Sequence, residues 1–230
     1  MRILGLFLAA CLAVLAPAPP APASPDRGAG RILVIGDSLL AWHKVSRRAV
    51  GDVLSERLKA EVVDRSVGGA RYNYALPITG AMGLNIARQY TPGRWDWVVV
   101  NGGGNDLLFG CGCLDCAATI DRLISADGQR GRIPALVRQL LAGRAKVVFV
   151  GYLRTPGVDS PVEHCRGEAD LLEARIRRLE GLYQDFHFVS LADLVPHGDR
   201  SFHGLDMVHP SVKGSAAIGE RVAAVIRAAR

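Results

Sequence analysis

Short apolar runs, each closed by glycine or a small polar residue, recur along the chain between longer stretches with helical spacing. Arg31 to Ile35 stops at Gly36-Asp37-Ser38. Glu61-Val62-Val63 leads into Asp64-Arg65-Ser66-Val67-Gly68-Gly69, Trp95 to Asn101 into Gly102-Gly103-Gly104-Asn105-Asp106, and Lys146 to Val150 into Gly151. A fifth run spans Phe186 to Leu191. Runs this short and this rich in β-branched residues, punctuated by glycine, predict buried strands. Between them lie helical patterns. The stretch from about Leu39 to Leu58 sets Val50, Val53, Leu54 and Leu58 on one face, and later faces carry Ile133, Val137, Leu140 and Leu141, then Leu172, Ile176, Leu179 and Tyr183, then Ile218, Val222, Val225 and Ile226. Ala70 to Pro92 shows neither period, and its Tyr72, Tyr74 and Met82 are expected at a pocket mouth or under a loop. Strands alternating with helices predict an α/β protein, a parallel sheet covered on both faces. Right-handed crossovers then bring every strand exit to one rim, the edge where open α/β sheets hold ligands.

Composition narrows the picture. The 230 residues, 49% of them hydrophobic, suit one domain with a full core. Met1-Arg2, the apolar run Ile3 to Leu15 and the Pro/Ala-rich stretch to Ala23 read as a signal peptide over residues 1–23, followed by a single domain over 24–230. The expected location is secreted or periplasmic, with lipoprotein anchoring at Cys11 as the rival, and the apolar run is too short to give stable membrane insertion. The net charge of +6 is scattered, without a basic run or an aromatic-basic stripe, which argues against a nucleic-acid partner. After cleavage Cys111, Cys113, Cys116 and Cys165 remain, an even count that in an exported chain favours disulfides over a zinc site with His164. The pairing is open, but adjacent strand exits would bring the 111–116 loop near 165, so that one cross-link joins two loops beside the pocket. No oligomeric state is legible.

Candidate chemistry gathers at the strand exits. Ser38 leaves a buried strand just before a helix, so it is either part of a helix cap with Asp37 or a nucleophile. A serine hydroxyl needs a base within hydrogen-bond reach. Asp206-Met207-Val208-His209-Pro210, just before the last helix, offers His209 as base and Asp206 to orient and charge-balance it. His203 with Asp206 and His209 is the metal-site alternative, without evident further ligands. Asn105-Asp106 reads as a turn, a cap or part of the site. His43, His187 and His197 are read as structural or surface residues.

The four blocks Gly36-Asp37-Ser38, Gly68-Gly69, Gly103-Gly104-Asn105-Asp106 and Asp206 to Pro210, in this order, resemble the SGNH, or GDSL, hydrolase family over nearly the whole mature chain. The resemblance implies a three-layer α/β/α sandwich on a five-stranded parallel sheet, a flavodoxin-like arrangement, and serine-dependent hydrolysis of carboxylic esters without a cofactor or metal. It implies Ser38, Asp206 and His209 as the catalytic set. The backbone N–H groups of Ser38 and Gly69 and the side-chain amide of Asn105 are implied as oxyanion donors, with Gly68 the alternative to Gly69. The sequence departs from the family at Leu40, where many members carry a small hydroxyl residue, and at Asp64, where Asn often stands. Substrates consistent with the family run from acetylated glycans to small lipid esters and thioesters. The competing class is a glycan- or lipid-binding module using the same cleft without turnover, which the complete catalytic set and the lack of an obvious aromatic platform disfavour.

Overall fold

A computed structural model describes residues 30–74 and 80–230, with backbone only for 80 and 81. The expected signal peptide and Cys11 lie outside the described residues. Five strands, β1 (Arg31–Ile35), β2 (Glu61–Asp64), β3 (Trp97–Val100), β4 (Lys146–Val150) and β5 (Phe186–Val189), form one parallel sheet in the order β2-β1-β3-β4-β5. The helices are α1 (Ser38–Ala41), α2 (Val50–Leu58), α3 (Ile86–Gln89), α4 (Gly104–Cys111), α5 (Ala117–Leu123), α6 (Arg132–Ala142), α7 (Arg166–Arg177) and α8 (Val212–Ala228).

Alternation along the strands builds the layers. Leu33, Ile35, Val98, Val100, Val147 and Phe149 point to one face, where they pack with Ile120, Val137 and Ile176 of α5, α6 and α7. Ile32, Val34, Val99, Val148 and Val150 point to the other, against Leu54 and Leu58 of α2 and Ile218, Val222 and Ile226 of α8. Each such side chain, fully buried, stabilises the fold by roughly 1.5–3 kcal/mol relative to exposure. On this second face α2 and α8 run so close that a Cβ on Gly219 would lie 2.6 Å from the Cβ of Val53. The glycine is therefore what lets the two helices meet.

Two sequence expectations change here. The helix read from Leu39 to Leu58 is two helices, α1 ending at Ala41 and α2 beginning at Val50, separated by turns in which His43 and Arg47 take positive φ angles of 70° and 55°. Polar Lys44, Ser46, Arg47 and Arg48 interrupt the apolar face, and Lys44 reaches the end of β2 by its ammonium group, donating to the Asp64 and Ser66 carbonyls at 3.1 and 3.0 Å, and not by packing. The stretch to Pro92 is not wholly irregular: Asn85 caps the one-turn helix α3 by accepting from the N–H of Arg88.

Candidate active site

The exit of β1 is a constrained turn. Gly36 has φ 151°, and a Cβ there would lie 2.3 Å from Asn101 Oδ1, so only glycine fits. The carboxamide of Gln89 pairs with Gly36 as a strand neighbour would: Oε1 accepts from the Gly36 N–H at 2.6 Å and Nε2 donates to its carbonyl at 2.8 Å. Asn101, at the exit of β3, accepts from the Asp37 N–H at 3.0 Å. Neither residue carried a local signal in the sequence.

Asp37 caps α1 by accepting from the Leu39 N–H at 3.0 Å. Its other oxygen accepts from the Tyr152 hydroxyl at 2.6 Å, and that hydroxyl accepts from the Gly104 N–H at 2.7 Å. Tyr152 thus ties the turn of β1 to the start of α4. Burial pushes the Asp37 carboxyl above its ordinary pKa, opposed by the bonds from Tyr152 and Leu39. Asp37 is a scaffold group, and the cap and nucleophile readings of this turn are compatible: Asp37 caps, while Ser38 occupies the first helical position facing the pocket.

At the exit of β2, Asp64 accepts from the Ser66 N–H and hydroxyl at 2.9 and 2.5 Å and from Lys44 Nζ at 3.2 Å. The departure from asparagine thus keeps a turn-shaping role. Among the described residues, the N–H groups of Ser38, Gly68 and Gly69 donate to no protein acceptor. A Cβ on Gly68 would stand 3.9 Å from Ser38 Cβ, and one on Gly69, at φ 76°, would meet nothing within 4 Å. Both glycines therefore lie open to the pocket.

Asn105 sits not in a loop but in the first turn of α4. One of its amide hydrogens goes to the Ala70 carbonyl at 3.1 Å, which orients the group and leaves the second hydrogen free. Asp106, in a pair read as a turn, a cap or part of the site, ties the loop at 72–73 to the first turn of α4: its carboxylate accepts from the N–H groups of Tyr72 and Asn73 at 3.0 and 2.7 Å. Burial raises its pKa despite these two bonds. Tyr72 consequently lies buried beneath the loop and not at the pocket mouth, while Met82 is exposed and outside the pocket lining.

His209 Nδ1 and Asp206 Oδ2 are 2.7 Å apart. Asp206 Oδ1 accepts from the N–H groups of Val208 and His209 at 3.1 and 3.0 Å, so the three-residue spacing folds into a compact turn. Burial pushes the Asp206 carboxyl up, but the bonds from the His209 side chain and from the two N–H groups outweigh it and hold its pKa below the ordinary value. A carboxylate beside Nδ1 makes that nitrogen the donor and leaves Nε2 as the basic one. Among the described residues no hydrogen bond joins Ser38 to His209. Such contacts commonly tighten only in the substrate complex.

Ser38, Gly68, Gly69, Asn105 and His209 line one cavity of about 420 Å³, and Asp206 stands behind His209. Its further lining combines apolar Leu107, Leu108 and Phe109 of α4, Val162 ahead of α7 and Ala169 within α7 with the polar side chains of Arg154, Thr155, Glu163 and Arg166. A disulfide, Cys113–Cys165, joins the α4 and α7 sides of this lining, and a second, Cys111–Cys116, closes the end of α4. The loop-joining cross-link expected from the sequence is therefore Cys113–Cys165. Among the described residues, the only cluster of metal-type ligands is Cys113, His164 and Cys165, whose sulfurs that bond consumes. Trp42 and Phe109, 37% and 64% exposed, also line the cavity, so an exposed aromatic surface is present where the sequence had shown no obvious one.

The sequence pattern of the GDSL-like lipase/acylhydrolase family matches residues 34–217. Curated protein sequences give no significant match. Similar solved structures include a GDSL-like lipase from Bacteroides thetaiotaomicron, with TM-score 0.58 and 15% identity over 91% of this chain and 92% of that one. TesA has TM-score 0.57 and 20% identity over 87% and 99%. Est24, a carbohydrate acetylesterase from Sinorhizobium meliloti, has TM-score 0.55 and 18% identity over 86% and 98%. These structures share the fold. Matched from within β1 through the Ser38 turn and the His209 loop into α8, the chain belongs to the GDSL-like lipase/acylhydrolase family and is an ester-hydrolysing enzyme.

Proposed function

We propose that the protein hydrolyses carboxylic esters through an acyl-enzyme on Ser38. The observation that carries this reading is the meeting of Ser38, Asn105 and the Asp206–His209 pair around one cavity. Ser38 Oγ attacks the ester carbonyl carbon while His209 Nε2 takes its proton. Asp206 holds Nδ1–H and balances the imidazolium charge. The carbonyl oxygen, now an anion, accepts from the N–H groups of Ser38 and Gly69 and from the free amide hydrogen of Asn105. As the C–O bond breaks, His209 returns the proton to the leaving alcohol. Water, deprotonated by His209, then attacks the acyl carbon and releases the acid and Ser38. Every proton is carried by His209, and the cycle needs no cofactor.

The apolar lining from Leu107, Leu108 and Phe109 of α4, with Val162 and Ala169, suits an acyl group longer than acetyl. Across p-nitrophenyl esters of increasing chain length, kcat/KM is expected to rise from acetate to a medium-length acyl chain; a maximum at acetate would contradict this assignment. The residue 1–23 segment and the two disulfides support export to an oxidising compartment. The direct test of mechanism is Ser38→Ala, which abolishes turnover of an activated ester while leaving the thermal unfolding curve in place. Unchanged turnover would remove Ser38 from the reaction.

A further inference from the structure

We infer that Trp42 is a positioning residue for His209, fixing the plane of the imidazole in the cavity that Ser38 also lines; this rests on the reading of Ser38 and His209 as nucleophile and base. The indole and imidazole rings are parallel, 1° apart in plane, with centroids separated by 3.7 Å. Trp42 follows Ser38 by four residues and closes the same turn, its N–H donating to the Ser38 carbonyl at 2.9 Å. Side chains four apart along a helical turn share a face. The nucleophile's own turn therefore carries the surface on which the base rests.

The next residue adds a second grip. His43 Nε2 lies 3.1 Å from the Pro210 carbonyl, and a carbonyl only accepts, so this nitrogen bears the hydrogen. Residues 42 and 43 together hold residues 209 and 210, joining the first strand exit to the loop before α8 without a covalent link.

For His209 this supplies the restraint that Asp206 leaves undone. The bond at Nδ1 fixes one atom in the ring plane but permits the ring to rock about that contact. A flat aromatic surface 3.7 Å away removes the rocking motion and confines Nε2 to one arc. The indole face also attracts the imidazolium formed during attack more strongly than the neutral ring. Stabilisation is thereby greatest at the transition state, which places the effect in kcat.

The test compares Trp42→Phe, which keeps a ring to stack, with Trp42→Leu, which keeps apolar bulk alone. With a soluble activated ester, the leucine variant is expected to lose about tenfold in kcat, equivalent to about 1.4 kcal/mol, with KM little changed. The phenylalanine variant should recover most of the loss. Proton NMR of the His209 ring supplies a readout independent of turnover: its carbon-bound protons lie upfield in the wild type and move downfield in the leucine variant. Absence of that upfield position, or a leucine variant with wild-type kcat, overturns the inference. Retained turnover in Ser38→Ala instead overturns the serine reading and the positioning role with it, while the NMR result still reports whether the stack exists.

Discussion

Ser38 and Asn105 show how single residues acquire meaning from what holds them. Asn105 donates to the Ala70 carbonyl with one amide hydrogen and keeps the other for the pocket. Asn105→Ala is therefore expected to lower kcat by roughly 100-fold or more with the fold intact, because one oxyanion donor is typically worth about 2.7–4 kcal/mol. Steady-state kinetics beside a thermal melt checks this, and a wild-type rate would take Asn105 out of the oxyanion role. The residues that build the scaffold were less legible. Gln89, Asn101 and Tyr152 act through partners 53, 64 and 115 positions away, and the sequence around each is ordinary. Trp42 is different. Its spacing of four from Ser38 was visible, but the ring it would meet belongs to a loop far along the chain.

At the level of elements, the strands were legible because their signal is local: apolar, β-branched and closed by glycine. The break between α1 and α2 was not, since Val50, Val53, Leu54 and Leu58 keep their helical spacing on either reading and only the polar run at 44–48 marks the gap. The short helix carrying Asn105 escaped for a related reason. Three consecutive glycines are poor helix formers, and tertiary contacts start α4 at the third of them. The cysteine loop illustrates a partial success. Topology brought residue 165 near 111–116, but three close cysteines left the partner open. The Cys113–Cys165 bond spans a sequence separation of 52, against 5 for Cys111–Cys116. Replacing Cys113 and Cys165 together by serine is expected to lower unfolding free energy by about 2–4 kcal/mol, more than the same change at Cys111 and Cys116, because the longer loop restricts the unfolded chain more. Urea unfolding of the two double variants under non-oxidising conditions checks the order, and equal losses would contradict it.

Across the whole molecule, the parallel order β2-β1-β3-β4-β5 places the exits of β1, β2 and β3 side by side, and the His209 loop, which follows the exit of β5 and precedes α8, starts from the same rim. This explains how blocks spread from residue 36 to 210 meet in one cavity. Electrostatics fits the arrangement: carboxylates behind the pocket are held by N–H and O–H donors, while the donors of Ser38, Gly68 and Gly69 stay open toward it. Among the described residues no helix is long and apolar enough to cross a membrane. The central claim is that an acyl group passes through Ser38 with His209 as base. Its most direct test is to treat the protein with a serine-reactive fluorophosphonate and locate the adduct by peptide mass spectrometry. The account predicts one modified peptide, carrying the label on Ser38, with labelling lost in Ser38→Ala and strongly slowed in His209→Ala. An adduct on another residue, or full-rate labelling in the Ser38→Ala variant, would contradict it.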